Sequence, residues 1–446
     1  VEGLERIVGG DYVQRGVVVG DAAVAGGAAR ALVRPGSAEE AGEVVAWCYE
    51  RGVPIVPVGG RSGLAGGAAV LGGDAVAIGL DRLRAVRSFE PPLWRMEAEA
   101  GVTTHSVARL ARENGLFFPP DPGAPEQSQL GGTIATNAGG PHSFKYGVTG
   151  DWVTGVEAVL AGGERVRFGG PVRKDVAGYD LRGLMIGSEG TLGIVTAAWL
   201  RLIPAPEAQL PVLGLYPGCA AGCAAIERVL ANGIAAAVLE YADVATVRLA
   251  PYPGEAFGGA PGFAVLAEAD GSAAEAGRVR GELVEALSDG ATAVHAPVQP
   301  GEIRVVWRWR AGMSHAVAAV RGAKLSEDVA VPVDRLAEAI DEVLAIGARH
   351  DLEACSWGHA GDGNLHASFL LEPGDAAARA RADAAAAELF ELALRLGGTV
   401  SGEHGIGVLK RGQLSRQWAP AAVAAHRAIK AALDPKGLFN PGKKGP

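Results

Sequence analysis

Two histidines bracket the run His359-Ala360-Gly361-Asp362-Gly363-Asn364-Leu365-His366. Asp-Gly is a favoured pair for the tip of a two-residue hairpin. A chain folded back at Asp362-Gly363 would set Gly361 opposite Asn364, Ala360 opposite Leu365 and His359 opposite His366. Directly opposed side chains share one face with Cβ atoms about 4.5–5.5 Å apart. The two imidazoles are therefore expected to converge on one ion. Gly402-Glu403-His404-Gly405-Ile406-Gly407 offers a further donor, the Glu403 carboxylate. Two histidines and a carboxylate suit zinc, with manganese or iron as alternatives, and leave a coordination position open.

An ion with an open position acidifies a hydroxyl or water bound to it. A neighbouring imidazole, with an unperturbed pKa of about 6.5, can take the released proton. His404 stands directly after Glu403. Trp307-Arg308-Trp309-Arg310 adds guanidinium forks, which hold carboxylates bidentately. The same ion site also suits a metal-dependent hydrolase acting through activated water, although no His-Glu-x-x-His occurs.

The 66 glycines cluster at 59–73, 131–140, 183–193, 358–363 and 397–407. Clustered glycine marks backbone that turns with positive φ or approaches a ligand closely. Gly59-Gly60-Arg61-Ser62-Gly63-Leu64 follows the apolar strand Val53–Val58 and can wrap a diphosphate with inward-pointing N–H groups. It has neither the spacing of a dinucleotide fingerprint nor the Gly-Lys-Ser/Thr of a P-loop. A second block runs from Pro119-Pro120-Asp121-Pro122 through Gly131-Gly132-Thr133-Ile134-Ala135-Thr136-Asn137-Ala138-Gly139-Gly140 to Tyr146-Gly147. A third is Gly187-Ser188-Glu189-Gly190-Thr191-Leu192-Gly193-Ile194-Val195.

These three ordered blocks resemble the FAD-binding domain of the vanillyl-alcohol oxidase / para-cresol methylhydroxylase superfamily. The likeness runs nearly end to end and is nearer to the branch of glycolate oxidase catalytic subunits, D-lactate dehydrogenases and D-2-hydroxyglutarate dehydrogenases. The resemblance implies that Gly59, Gly60, Arg61, Ser62, Gly63 and Leu64 cradle the FAD pyrophosphate. Pro120, Gly131, Gly132, Thr133, Thr136 and Asn137 would line the flavin channel, with Gly139, Gly140, Tyr146 and Gly147 closing it. Glu189, Gly193 and Ile194 would meet the cofactor further along. Asn440, in Phe439-Asn440-Pro441-Gly442-Lys443, would return to the flavin. Relatives with covalent flavin carry a histidine where this chain has Arg61, so dissociable FAD is expected; His142 is the nearest rival attachment point.

The resemblance also implies that His359, His366 and Glu403 hold the metal and that His404 lies beside the substrate as base, with hydride passing to flavin N5. Arg310 matches the family arginine that binds the substrate carboxylate, and Ser314 matches a family threonine. Asp328 and Pro332 match an Asp-x-x-x-Pro element. Ser326 stands where the hydroxyglutarate branch has a lysine, and Lys324 is two residues away. Ser368 replaces a family asparagine. The missing lysine favours monocarboxylates, D-lactate or glycolate, over a D-2-hydroxyglutarate type of substrate. A noncatalytic flavin subunit of a larger complex is a third alternative, against which the intact His359, His366, Glu403 and His404 argue.

Positioning these groups takes more than one core, because 446 residues exceed an ordinary single domain. Strand and helix patterns alternate from Ala31 through the helix Ser37–Arg51, the helix Val102–Asn114 and the hairpin Val153–Leu160 / Arg165–Phe168. Later segments mix strands (Pro211–Tyr216, Ala235–Tyr241, Gly262–Glu268) with helices (Ala220–Asn232, Ala273–Ser288, Val333–His350, Asp375–Leu396 and Ala421–Leu433). The expected class is α+β: a two-part FAD-binding domain of PCMH type over 28–206, and an inserted cap on an antiparallel sheet over 207–400. A C-terminal segment, 401–446, would return to the FAD domain. A net charge of −9 argues against a nucleic-acid binder, and no apolar run is long enough to span a bilayer. The start of the chain lacks the marks of a signal peptide, and Val1 in place of Met suggests processing. Cys48, Cys219, Cys223 and Cys355 form neither a disulfide framework nor a zinc spacing. The expectation is a cytoplasmic enzyme, free or held at the inner membrane through a partner, with a homodimer allowed. Its electron acceptor, whether quinone, electron-transfer flavoprotein, iron–sulfur partner or oxygen, is not encoded in any motif.

Overall fold

The computed structural model describes residues 1–253, 257, 260 and 262–445. The chain divides into two compact units. The first comprises Val1–Gly140, Gly147–Ala205 and Glu403–Pro446, and the second Pro141–Tyr146 and Pro206–Gly402. The short segment Pro141–Tyr146 thus belongs with the second unit although it lies inside the 28–206 stretch. The first 27 residues belong with the first unit.

Among the described residues the first unit has two larger sheets, of four and five strands, and two two-stranded pairs, Val18–Val19 with Gly27–Ala28 and Leu116–Phe117 with Ile203–Pro204. The four-stranded sheet runs Val13–Arg15, Ala31–Val33, Val76–Gly79, Ile55–Val58, with its last three strands parallel. Ile55–Val58 and Val76–Gly79 are apolar because parallel strands are covered on both faces. The helix Ala38–Glu50 covers this sheet with Ala41, Val44, Val45 and Cys48, and Ser37 caps it by accepting from Glu40 N. The second sheet is antiparallel, in the order Arg165–Gly169, Val153–Val159, Ile194–Arg201, Arg95–Glu99, Val86–Glu90. The end of the chain completes the core. Phe439 is wholly buried against Ile55, and the two backbones bridge through Ile55 N to Leu438 O (2.8 Å) and Asn440 N to Ile55 O (2.7 Å).

The second unit is built on one seven-stranded antiparallel sheet. Its order is Ala293–His295, Ala208–Tyr216, Phe263–Gly271, Val238–Ala242, Ala354–His359, Asn364–Leu371, Ala323–Ala330. One face packs against helices Cys219–Ala231 and Leu336–Arg349, where Gly222 lies on Phe263 and Gly347 on Ala354. The other face carries the helix Pro300–Arg321, whose Val306, Trp309, Met313 and Val317 bury against Leu213, Leu266, Trp357 and Leu370. No helix among the described residues is long and apolar enough to cross a membrane.

Candidate active site

The register of the histidine hairpin differs from the one the Asp-Gly pair predicts. His359 pairs with Asn364, and His366 pairs with Trp357. The loop is four residues, 360–363, closed by Asp362 N donating to His359 O at 3.3 Å. Gly363 is held at φ 74° against the Val331 carbonyl, where a Cβ would collide. Tertiary packing therefore sets this turn. His359 and His366 are now diagonal neighbours, but side chains two apart on a strand share a face. Their ring centroids are 5.4 Å apart with planes at 87°, each offers a nitrogen within 4.8 Å of the other, and both are buried.

The residues fit a cation. On the same strand face as the histidines, Asn364 Oδ1 is buried with no hydrogen-bond partner among the described residues, while its Nδ2 donates to Asp328 Oδ1 (2.5 Å) and Val329 O (2.9 Å). Asp328, directly opposite His366, also accepts from Ser401 Oγ at 2.9 Å. Gly402 lies so close to Asn364 and Asp328 that no side chain fits there. Glu403 is the next residue along the chain, where the second unit ends.

Sequence reasoning missed Glu240. It lies in the strand Val238–Ala242, directly opposite His359 and 1% exposed. One carboxylate oxygen accepts from His359 Nδ1 and the other from Arg310 Nε and Nη2. Burial pushes this carboxyl up, but the Arg310 charge and the hydrogen bonds from His359 and Arg310 outweigh that and hold it below the usual range. Only a lone acid in an apolar strand, Val-Leu-Glu-Tyr-Ala, could have signalled it.

Arg310 and Ser314 sit one turn apart on the helix Pro300–Arg321. The Ser314 hydroxyl accepts from Lys324 Nζ at 2.9 Å, and the same ammonium reaches Ser326 Oγ (3.3 Å) and Ser368 Oγ (3.4 Å) over the face of Trp357. Burial lowers the Lys324 pKa to about 8. Lys324 and Ser326 alternate onto the same strand face. An ammonium therefore occupies the neighbourhood of Ser326 even though the lysine is out of register.

In the first unit the glycines form a cradle. A Cβ on Gly60 would collide with the Gln127 carbonyl, and one on Gly131 with Ala100. Gly59 faces Gly132, which has open space beside it. Arg61 adopts φ 57°. Gln129 Oε1 is buried beside Gly59 with no partner among the described residues, so a donor-bearing ligand fits the seam. Gly131, Gly132, Thr133 and Thr136 lie in a short helix, Leu130–Thr136, that the glycine content concealed. Both threonine hydroxyls donate to carbonyls of that helix. Asn137 turns left-handed and accepts from Gly150 N at 2.8 Å. Gly140 and Gly147 are required by Asp121 and Asp151, Gly193 by the Val159 carbonyl, and Pro120 and Ile194 are buried.

Other expected cofactor residues hold the chain itself. The Glu189 carboxylate accepts from Ile406 N (2.9 Å) and Gly407 N (2.7 Å) and pairs with Lys444 at 3.1 Å. It pins the loop carrying Glu403 and His404, which lie 3.9 Å apart. Asn440 Nδ2 donates to Glu189 O (2.7 Å) and Gly67 O (2.9 Å), tying the third glycine block to the end of the first. Tyr146 goes with the second unit, its hydroxyl on Asp270 Oδ2 at 2.5 Å. His142 does likewise, with Nε2 at 3.0 Å from Glu268 Oε1.

A family model described as an FAD binding domain matches residues 29–169, and one for the C-terminal domain of FAD linked oxidases matches 205–444. The chain belongs to the FAD-linked oxidases. It is 35% identical over 416 residues to glycolate oxidase subunit GlcD of Bacillus subtilis (strain 168), covering 93% of this chain and 88% of that one. It is 33% identical to D-lactate dehydrogenase of Anaerostipes hadrus, over 98% of this chain and 94% of that one. It is 35% identical to D-2-hydroxyglutarate dehydrogenase of Xanthomonas citri pv. viticola, over 93% and 88%. A solved structure of p-cresol methylhydroxylase with substrate bound superposes with TM-score 0.80 at 18% identity, covering 100% of this chain and 96% of that one. That likeness speaks for the fold, a PCMH-type FAD-binding domain joined to a unit built on an antiparallel sheet.

Proposed function

We propose that this FAD-linked oxidoreductase converts a short D-2-hydroxy acid, D-lactate or glycolate, to its 2-keto acid. The observation that carries the proposal is the sheet face bearing Glu240, His359 and His366, with Arg310 of the covering helix paired to Glu240. It joins a carboxylate anchor to a pair of cation ligands. When bound, FAD supplies the two-electron acceptor, and a divalent cation on His359, His366 and Glu403, zinc by its donor set, supplies positive charge at the hydroxyl. Arg310 holds the substrate carboxylate with the N–H groups Glu240 leaves over. His404 takes the hydroxyl proton. Gly59 to Leu64 and the Gly131–Asn137 segment hold the cofactor without a covalent link, since Arg61 stands at the usual attachment position and His142 is engaged with Glu268.

Anaerobic mixing of the purified protein with D- and L-lactate, glycolate and D-2-hydroxyglutarate tests the proposal. Bleaching of the oxidised-flavin band by a short D-acid or glycolate is expected, and removal of metal by chelator should abolish it. A flavin that stays oxidised with every acid would refute the proposal. Lys324, with its three serine hydroxyls, favours a second reading in which a distal carboxylate is also bound. Faster bleaching by D-2-hydroxyglutarate than by D-lactate would select it.

A further inference from the structure

The Glu240 carboxylate is shared between two side chains to which the proposed function gives different tasks. Oε1 meets His359 Nδ1 across paired strands, and Oε2 meets Nε and Nη2 of Arg310 from the covering helix. An ionised carboxylate has no proton to give, so His359 Nδ1 is the donor. In a neutral imidazole this leaves the lone pair on Nε2, and the second partner of a histidine decides which nitrogen can take a cation. The same carboxylate engages two guanidinium nitrogens and so fixes the direction in which the remaining N–H groups of Arg310 point. At 1% exposure no water competes for either bond.

We infer that Glu240 is a positioning residue that sets both the tautomer of His359 and the orientation of Arg310, placing the cation ligand and the carboxylate anchor in one fixed relation. This rests on the hydroxy-acid reading above. A purely structural ion pair would need the charge balance with Arg310 but would be indifferent to the His359 proton. Glu240→Gln separates the two. A glutamine whose oxygen accepts from Arg310 must turn its NH₂ toward His359 Nδ1, which drives the ring proton to Nε2.

The test uses the FAD-loaded protein stripped of metal with chelator, titrated with Co²⁺ against a chromogenic competitor, with His359→Ala as reference. E240Q is expected to weaken Co²⁺ binding about 10–100-fold, the usual effect of losing such an outer carboxylate, with the flavin spectrum unchanged. Nitrogen-15 NMR of the metal-free wild type is expected to show the His359 proton on Nδ1. Wild-type Co²⁺ affinity in E240Q, beside lost affinity in H359A, overturns the positioning role alone. Wild-type affinity in both variants overturns the metal site itself. If E240Q does not fold, the NMR decides, and a proton on Nε2 in the wild type refutes the inference.

Discussion

Lys324→Met is the variant whose outcome is most tightly constrained. The Lys324 ammonium sits among Ser314, Ser326 and Ser368 over Trp357, and burial lowers its pKa from 10.5 to about 8. The gap is about 2.5 units, and at about 1.36 kcal/mol per unit the charged form costs the fold up to about 3 kcal/mol. The sign follows from proton counting. Between about pH 8 and 10.5 the unfolded chain holds the Lys324 proton and the folded chain does not, so stability rises with pH in that window. Below it, both states are protonated and the full cost is present. Methionine has no proton to lose and keeps most of the apolar stem. The lost serine hydrogen bonds add a pH-independent offset, so the slope is the readout. Urea unfolding followed by tryptophan fluorescence should show the stability of K324M, relative to wild type, highest near pH 7 and falling toward about pH 10.5 by up to about 3 kcal/mol. A difference that stays flat across that range would refute the argument that burial strains this ammonium.

Other outcomes follow from the same geometry. Gly60→Ala forces a Cβ onto the Gln127 carbonyl; overpacking of about 1–3 kcal/mol should weaken FAD about 5–150-fold, read by fluorescence titration of the apoprotein. Arg310→Ala removes a charged hydrogen-bond donor and should lower kcat/KM about 10–150-fold, with Arg310→Lys recovering only part because it lacks the fork. His404→Ala should slow flavin reduction about 10²–10⁴-fold in stopped flow while FAD stays bound; reduction at the wild-type rate would show that another group takes the proton.

Local signals in the sequence were reliable where local physics decides the structure. Ser37 and the Ala41, Val44, Val45, Cys48 spacing specify the helix Ala38–Glu50, and the apolar runs specify the buried parallel strands. The two histidines were recognisable as a pair from their place around a turn. Their register was not, because Gly363 answers to the carbonyl of Val331, just past the strand Ala323–Ala330. The helix Pro300–Arg321 did carry a signal, Val306, Trp309, Met313 and Val317 at helical spacing, but the Trp-Arg alternation within it masked that stripe. Glu240 offered one local mark, a lone acid in an apolar strand, but its role was beyond reach because its partners lie 70 and 119 positions away. Glu189 and Asn440 sat in the right motifs, yet the structure gives their side chains to the chain itself.

The Ile55–Phe439 bridge has a consequence for biosynthesis. The core around Ile55, Val76 and Val159 lacks Phe439 until residue 439 has been made. The second unit, Pro141–Tyr146 with Pro206–Gly402, is complete in sequence once residue 402 has been made. A ribosome-stalled chain ending at Leu433 is therefore expected to protect 206–402 from protease while leaving 28–205 open to cleavage. FAD loading would then wait until residue 439 has left the ribosome. Equal protection of both stretches in the stalled chain would mean that the first unit closes without its last strand-like segment.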